Sequence, residues 1–390
     1  MDSSPFAHVD AAAKRATGGI KWTRDGTDVL PAWVAEHDFR PPDEVLDALH
    51  RIAGTADVGY TRRFLELGPT YGLWARERHG WTIDSSLVHW HVDVLQGVMA
   101  AVLALTEPGG AVVVQTPVYF PFLDIAPSSG RVQIDWPMTY DDDGWHFSVE
   151  ELDGILERAP DARVLVLSHP HNPTGRVMTP AELTSLLEVA AAHDVNIVSD
   201  EIHGDLVFSG TRFRPILTIE GAAERCVAVT SMGKTLSLSG LKCAISVFGD
   251  RDLRHRVGRA HPPLLLSYPG RAGIEATIAA WTHAGEWTDG LAAHCQKMRD
   301  HLAARLADEA PLVRFHPPES TFLAWLDVSA CGLGPDPAAA LLDRAGVSLS
   351  EGHTFGPGGE GHVRLNFGTS MALLDEIIDR LVPHLAPSGG

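Results

Sequence analysis

Cysteine is scarce in this sequence, and its four residues stand far apart at positions 226, 243, 295 and 331. No two of them form a Cys-x-x-Cys pair, which argues against a structural zinc site and against the disulfide framework of a small secreted protein. The first residues lack the basic start and apolar run of a signal peptide, and no stretch reaches the ~18 uninterrupted apolar residues that span a bilayer. These absences predict a cytoplasmic protein with no membrane partner.

Basic residues are also few, because 31 Lys and Arg face 50 Asp and Glu and the formal net charge is −19. A field of this sign repels phosphate backbones and anionic lipid, so nucleic acid is not an expected partner. A small anionic ligand is still compatible with the sequence, since a local cluster of donors can oppose the overall charge. With 390 residues and 45% hydrophobic residues, the chain can form two or three globular domains without disulfides.

Short apolar runs alternate with amphipathic stretches between residues 84 and 248, which is the pattern of parallel strands joined by crossover helices. Several runs are apolar throughout, as strands covered on both faces should be. We predict a doubly wound α/β core with strands at 87–92, 111–115, 131–136, 164–168, 195–199, 227–230 and 244–248. Helical spacing lies between them at 97–105, 149–158 and 181–193.

A second, smaller unit of helices and strands follows residue 271. We expect three parts in the chain: an N-terminal arm with part of the small domain at 1–45, a large domain at 46–285, and a C-terminal small domain at 286–390. The only loose ends expected are the first ~20 residues and the Pro-Ser-Gly-Gly tail.

Polar residues follow four of the predicted strands, at the sheet edge where open α/β sheets bind ligands. Together they supply a helix N-terminus suited to an anion, an amide donor, a buried carboxylate and a lysine. Such a set suits an aldehyde cofactor that carries a phosphate and a ring nitrogen, because a lysine amine can form a Schiff base and a carboxylate can keep the ring nitrogen protonated. The four motifs are Gln96-Gly97-Val98-Met99, His171-Asn172-Pro173-Thr174-Gly175, Asp200-Glu201-Ile202-His203 and Ser231-Met232-Gly233-Lys234.

With these motifs the sequence resembles the fold-type I pyridoxal-phosphate enzymes of the class I/II aminotransferase superfamily, over nearly the whole chain. Within them it is most similar to the cystathionine β-lyase-like carbon–sulfur lyases. The resemblance implies an aspartate aminotransferase-like fold, with a mostly parallel seven-stranded sheet in the large domain and a smaller α+β domain. The segments that carry it are Trp33-Val34-Ala35-Glu36-His37-Asp38-Phe39, Gln115-Thr116-Pro117-Val118-Tyr119-Phe120-Pro121-Phe122, Asn172-Pro173-Thr174-Gly175, Asp200-Glu201-Ile202-His203 and Val363-Arg364-Leu365-Asn366-Phe367.

The resemblance also implies a role for each matching residue, with pyridoxal 5′-phosphate as the cofactor. Lys234 forms the Schiff base, Asp200 pairs with the pyridine nitrogen, Asn172 donates to the phenolic oxygen, and Tyr119 stacks on the ring. For the phosphate it implies the backbone N–H groups of Gly97, Val98 and Met99, with Ser231 and Lys242. For the substrate it implies Arg364 on the α-carboxylate and the segment Ala35, Glu36 and His37 beside it. Tyr60 matches a tyrosine that reaches the phosphate of the neighbouring subunit, so a homodimer is implied.

Four positions depart from the common pattern of these lyases. Gly233 replaces the usual serine before the lysine, Lys242 replaces an arginine and so provides a point charge instead of a bidentate clamp, and Glu36 and His37 replace Asp and Met. These departures bear on substrate and reaction more than on cofactor. His203 has two interpretations, a contact near the phenolic oxygen or a structural histidine at a helix start. The pairs His89/His91 and His169/His171 lack a third ligand at suitable spacing, so no metal site is expected.

The reaction implied is β-elimination from an S-substituted L-cysteine, such as cystathionine or a larger conjugate, in which Lys234 removes the α-proton and the products are a thiol, pyruvate and ammonia. The alternatives are an aminotransferase, which uses the same residues, and a decarboxylation-linked deaminase acting on the same conjugates. A cofactor-binding regulator is disfavoured, because only ~30 residues precede Trp33 and they carry no basic helix-turn-helix pattern.

Overall fold

The computed structural model describes residues 4–261, 266 and 268–385, so the predicted loose C-terminal tail lies outside the described residues. In the described part of the chain, a seven-stranded sheet has the order β2-β10-β9-β8-β7-β3-β4, and it contains all seven predicted strands. The strands are β1 (Leu30–Pro31), β2 (Val88–His91), β3 (Ala111–Thr116), β4 (Val132–Pro137), β5 (Thr139–Asp141), β6 (Gly144–His146), β7 (Ala162–Ser168), β8 (Asn196–Asp200), β9 (Cys226–Thr230), β10 (Ala244–Phe248), β11 (Arg314–Phe315), β12 (Leu323–Asp327), β13 (Val347–Ser348), β14 (Ser350–Glu351) and β15 (His362–Asn366).

The large sheet is mostly parallel, because β10 alone runs against its neighbours β2 and β9 while β3, β4, β7, β8 and β9 pair in parallel. The central strands are buried throughout, which requires cover on both faces. Val113 packs in the cluster that contains α7 and α8, whereas its neighbour Val112 packs with α5 and α9. The period-two alternation of a strand therefore divides the core into two layers.

Helices pack against the sheet, and the bounds of α7 and α8 lie within one residue of the predicted ones, whereas α5 begins three residues before its predicted start. Helix α7 matches residues 149–158, and α8 begins after Thr179, whose hydroxyl accepts from the Glu182 N–H at 3.2 Å. No helix among the described residues is both long and apolar enough to cross a membrane. The helices are α1 (Ala11–Ala16), α2 (Ile20–Thr23), α3 (Asp43–Thr55), α4 (Leu67–His79), α5 (Val94–Leu105), α6 (Ile125–Ser128), α7 (Val149–Arg158), α8 (Pro180–Ala192), α9 (Arg251–Arg259), α10 (Arg271–His283), α11 (Gly285–Glu309), α12 (Pro337–Ala345) and α13 (Met371–Leu381).

A smaller four-stranded sheet, β11-β12-β15-β14, lies under α11 and α13, and β1 pairs in parallel with β13 beside it. The N-terminal segment thus joins the C-terminal part of the chain. On these contacts we propose the division suggested by the sequence, with 1–45 and 286–390 forming the small domain and its arm and 46–285 the large one.

The expectation of a loose N-terminus was wrong for the residues that the structure describes. Phe6 is buried and meets Phe39 and Trp287 edge-on, with ring centroids 5.1 and 5.2 Å apart. Asp10 caps α1 by accepting from the Ala13 N–H at 3.0 Å. These ring contacts join residues far apart in the sequence, so no local pattern predicts them.

Candidate active site

The polar residues that follow the strands of the large sheet meet in one cavity at the carboxyl ends of the parallel strands. Each sits where it does because its strand ends there: Tyr119 follows β3, Asn172 follows β7, and Lys234 follows β9. Of the predicted site residues, the cavity brings together Tyr119, Asn172, Asp200, His203, Ser231, Lys234 and Lys242.

The amine of Lys234 lies inside the protein instead of in solvent. Its Nζ donates to the carbonyl oxygen of Ala35 at 3.0 Å. Burial, together with the positive charge of Arg364, lowers the pKa of Lys234 to about 8. About a tenth of the amine is then neutral at pH 7, far more than for an ordinary lysine. A desolvated amine of this kind can act as a nucleophile toward an aldehyde and as a base.

Asp200 is the last residue of β8 and is 7% exposed. Its Oδ1 accepts from the Ile202 N–H at 3.0 Å, whereas Oδ2 has no donor among the described residues. Burial raises the pKa of Asp200 to about 7, against the weaker opposing effects of that hydrogen bond and of Lys234. A buried carboxyl group with a free oxygen at the cavity is suited to a cationic partner such as a protonated ring nitrogen.

Arg364 lies on β15 of the small sheet and is hydrogen-bonded to Asn172, which lines the cavity. Its NH1 donates to Asn172 Oδ1 at 2.9 Å, and its NH2 donates to the Trp33 carbonyl at 3.0 Å and the Ser350 hydroxyl at 3.2 Å. Nε is buried without an acceptor in the described structure, and burial lowers the pKa of Arg364 to about 10. The guanidinium is therefore fixed in direction and still has a donor for an anion. Because Asn172 Oδ1 accepts from Arg364, its Nδ2 is left as a donor.

Tyr119 and His203 face the same cavity. Tyr119 is half-buried, and its backbone N–H donates to the Asn172 carbonyl at 3.1 Å, which ties the two strand ends together. Burial lowers the pKa of His203 to about 3, helped by the charges of Lys234 and Arg364, so its ring is neutral. His203 Nδ1 is buried with no partner in the part of the chain described. This unpaired atom favours a ligand contact over the structural interpretation of His203.

The predicted phosphate-binding residues divide into two groups in the structure. Ser231 and Lys242 lie at the cavity, but each already has a protein partner: Ser231 Oγ donates to the Cys243 carbonyl at 2.7 Å, and Lys242 Nζ lies 2.9 Å from Asp93 Oδ2. The segment 97–99 is not part of the cavity lining.

The assignment of the phosphate to the backbone of Gly97, Val98 and Met99 is corrected by the position of α5. The helix begins at Val94, with Asp93 as its N-cap, so these three residues lie in the first turns instead of at the start. The Gly97 N–H already donates to the Asp93 carbonyl at 3.3 Å. The residues of this segment that line the cavity are 92–95, and the N–H groups at its open end belong to Val94 and Leu95.

Asp93 and Ser239 are two of the cavity residues that were not predicted from the sequence. Asp93 stands three residues before Gln96, and its Oδ1 accepts from the Gln96 N–H at 2.9 Å. An Asp followed three residues later by Gln is a signature of a helix start, so this signal was present in the sequence. Ser239 donates its hydroxyl to the Gly233 carbonyl at 3.0 Å. A hydroxyl group thus lies beside Gly233, where the usual serine is missing.

The segment Ala35–His37 contacts the site through its backbone. Ala35 accepts from Lys234, and the Glu36 carbonyl accepts from Lys21 Nζ at 2.8 Å. The His37 ring is buried among aromatic rings, and its Nε2 lies 3.1 Å from the Thr235 carbonyl. Since none of the three lines the cavity, their direct contact with a substrate stays a prediction.

A buried ion pair holds this segment in place. Lys21 Nζ and Asp38 Oδ1 are 2.8 Å apart, and both side chains are almost fully buried. Trp22 Nε1 donates to the same Asp38 oxygen at 2.8 Å. The pair holds the 36–38 backbone and therefore the carbonyl next to it that receives Lys234.

Replacing Lys21 with methionine is expected to destabilise the protein by about 3 kcal/mol, because Asp38 is left as a buried charge without its cation. The urea-unfolding midpoint should fall accordingly. The double variant Lys21→Met, Asp38→Asn removes that charge, keeps an acceptor for Trp22, and should recover about half of the loss. A single variant as stable as the wild type would contradict the structural role of the pair.

Tyr60 does not line the cavity of its own chain. Its side chain is 96% exposed, and it lies beside the exposed Val58 and the partly exposed Tyr268. The histidine pairs are also apart from the cavity, and no cluster of three metal-ligating side chains occurs within the described residues.

The residues present fit pyridoxal phosphate on three observations. A desolvated lysine amine, a buried aspartate with one carboxyl oxygen that has no donor among the described residues, and free N–H groups at a helix start lie in one cavity. They match respectively an aldehyde, a basic ring nitrogen and a phosphate.

Comparison with known families gives one model that covers most of the chain. The model described as "Aminotransferase class I and II" matches residues 91–381.

Individual relatives align over nearly the whole length. Cystathionine β-lyase PatB of Bacillus subtilis is 33% identical over 377 residues, which is 95% of this chain and 97% of that protein. A putative cystathionine β-lyase of Mycobacterium leprae is 35% identical and covers 98% of both chains. The crystal structure of a putative PLP-dependent β-cystathionase from Corynebacterium diphtheriae has a TM-score of 0.92 at 27% identity, over 97% of this chain and 99% of that one.

Proposed function

The chain belongs to the class I and II aminotransferase family, and from its relatives named as lyases we propose that it is a pyridoxal-phosphate-dependent carbon–sulfur β-lyase acting on an S-substituted L-cysteine. The products would be a thiol, pyruvate and ammonia. The lyase assignment follows the relatives that align over almost the entire chain and are named cystathionine β-lyases.

The observation that carries the proposal is that Lys234 and Asp200 line one cavity and that Arg364 donates a hydrogen bond to Asn172, which lines the same cavity. The first two suit the cofactor, and the third suits the α-carboxylate of an amino acid. When bound, the cofactor supplies an electron sink that stabilises negative charge on the substrate α-carbon. Asp200 would keep its ring nitrogen protonated, and Asn172 Nδ2 is available to the phenolic oxygen.

Lys234 and Arg364 would perform the two tasks left to the protein. Lys234 takes the α-proton, a role for which its lowered pKa is suited because a base near the working pH is most effective. Arg364 holds the substrate carboxylate through Nε, while its other nitrogens remain bound to Asn172, Trp33 and Ser350. A carboxylate fixed in this way would set which bond of the α-carbon stands perpendicular to the plane of the cofactor ring. Such orientation contributes several kcal/mol to the lowering of the activation barrier.

An aminotransferase is the second candidate, because the matching family model bears that name and the same residues would serve it. The two functions differ in the fate of the substrate after the α-proton is removed: a lyase expels the thiolate, whereas a transaminase passes the nitrogen to a 2-oxo acid.

We expect the purified holoenzyme to release thiol and pyruvate in equal amounts from an S-substituted cysteine in the absence of any 2-oxo acid. For L-cystathionine the balance is cystathionine plus water giving homocysteine, pyruvate and ammonia. A series from cystathionine to bulky cysteine conjugates would define the S-substituent. Obligatory dependence on a 2-oxo acid would favour transamination, and trapped carbon dioxide would identify decarboxylating deamination.

The homodimer belongs to the same proposal. Tyr60 is 96% exposed beside the apolar Val58, and an exposed patch of this kind is typical of an interface. In the dimer, Tyr60 would reach the phosphate in the cavity of the neighbouring subunit. We also propose a cytoplasmic location, supported by four cysteines that are all buried free thiols.

A further inference from the structure

The cavity contains a carboxylate at the place where a phosphate would bind. Asp93 is the N-cap of α5 and lines the cavity beside Val94 and Leu95. Its Oδ1 accepts from the Gln96 N–H at 2.9 Å, and its Oδ2 lies 2.9 Å from Lys242 Nζ. The positive end of the helix dipole therefore already holds an anion, and that anion belongs to the protein.

The charges at this end of the cavity nearly cancel before any ligand arrives. Lys242 is paired with Asp93, and the Ser231 hydroxyl donates its hydrogen bond to the Cys243 carbonyl. The N–H groups of Val94 and Leu95 have no acceptor among the described residues and are the donors that remain. The donors available to a phosphate would thus be the two backbone N–H groups of Val94 and Leu95 and the amine of Lys242, whose positive charge is already paired with the Asp93 carboxylate.

We propose that Asp93 weakens the binding of the phosphate-bearing cofactor, so that the protein releases and rebinds it more readily than the same cavity with a neutral cap would. The inference rests on the proposed function, since it takes the cofactor to be pyridoxal phosphate. A phosphate monoester carries between one and two negative charges near pH 7. Repulsion from Asp93 is only partly screened, because its side chain is 34% exposed.

The negative charge of Asp93 is separable from its capping role. Asparagine and serine cap helices about as well as aspartate, because the cap needs only an oxygen acceptor. If the aspartate served instead to hold Lys242 ready for the phosphate, its removal would weaken cofactor binding. The two roles therefore predict opposite changes in affinity.

The test is a titration of cofactor-free protein with three ligands: pyridoxal 5′-phosphate, pyridoxine 5′-phosphate, which has no aldehyde and cannot bond to Lys234, and pyridoxal, which has no phosphate. Affinity is read from the absorbance of the lysine-bound cofactor and from quenching of protein fluorescence. The proteins are the wild type, Asp93→Asn and Asp93→Ser. The matched control is Asp250→Asn, the same change at the N-cap of α9, where Asp250 accepts from the Leu253 N–H at 2.7 Å.

We expect both Asp93 variants to bind the two phosphorylated ligands about tenfold more tightly than the wild type, with pyridoxal unchanged. Asp250→Asn should match the wild type with all three. Unchanged or weaker binding of pyridoxine 5′-phosphate to both Asp93 variants would overturn the inference alone. A wild-type protein that takes up no pyridoxal phosphate would overturn the proposed function as well.

Discussion

Replacement of Lys234 by alanine is expected to lower the rate of thiol release by roughly 10⁴-fold or more, at the upper end of what general-base catalysis contributes. The variant loses the base that takes the α-proton, and it also loses the amine that bonds to the cofactor aldehyde. Noncovalent binding should survive, because Asp200, Ser231 and the start of α5 are unchanged. The measurement is thiol release at saturating cofactor, with an absorbance spectrum of the same sample.

The matched control is Lys297→Ala, which removes an exposed lysine on α11 outside the cavity and should leave rate and spectrum unchanged. Mass spectrometry of the borohydride-reduced wild type should find the cofactor on the peptide that contains Lys234. An alanine variant with a rate within about tenfold of the wild type would refute the role of Lys234, since a lost base must appear as a loss of transition-state stabilisation.

The large sheet was predictable because its strands carry their own signal. The strand predicted at 244–248 has the observed bounds, Ala244–Phe248, and the other six differ by one or two residues at an end. Buried parallel strands are short apolar runs bounded by polar residues, so each is visible without knowledge of its neighbours. The polar residues at their ends then had to share one edge of the sheet, which is why Lys234, Asp200 and Asn172 could be grouped from the sequence.

The start of α5 was not placed correctly, because Gly97 looked like a residue that opens a helix. In the structure Gly97 lies within the helix, where a side chain would not fit: a Cβ atom would come 2.8 Å from Val229 and 3.1 Å from His91. The glycine is explained by close packing of α5 against β9, a tertiary contact with no local signature. The capping pair Asp93 and Gln96 did carry a local signal and should have been preferred.

The place of the small-domain residues could not be derived from local pattern either. His37 stands between Glu36 and Asp38 in a polar segment of the sequence. Its ring is nevertheless buried against Thr235 and Trp287. Burial lowers the pKa of His37 to about 3, so the ring is a neutral part of the core. Thr235 and Trp287 lie about 200 and 250 residues further along the chain, and only the assembled fold brings them to His37.

Replacement of Asp200 by asparagine is expected to slow elimination by roughly 10²–10⁴-fold, the rate equivalent of the 3–5 kcal/mol lost when one partner of a buried ion pair is removed. The amide keeps the acceptor for the Ile202 N–H, so the turn after β8 should persist. It carries no negative charge, however, and cannot hold a proton on the cofactor ring nitrogen. The measurement is the rate of thiol release with cofactor occupancy confirmed for each sample.

The neighbouring carboxyl provides the control for this prediction. Glu201 directly follows β8 but does not line the cavity, and its side chain accepts from the Ile216 N–H at 2.8 Å and the Ser199 hydroxyl at 3.3 Å. Burial raises the pKa of Glu201 to about 8, so it is mostly protonated at neutral pH and glutamine is a close replacement. Glu201→Gln should therefore change the rate by less than about threefold. Equal losses in the two variants would mean that the charge of Asp200 is not what the reaction uses, because only one of these groups faces the cavity.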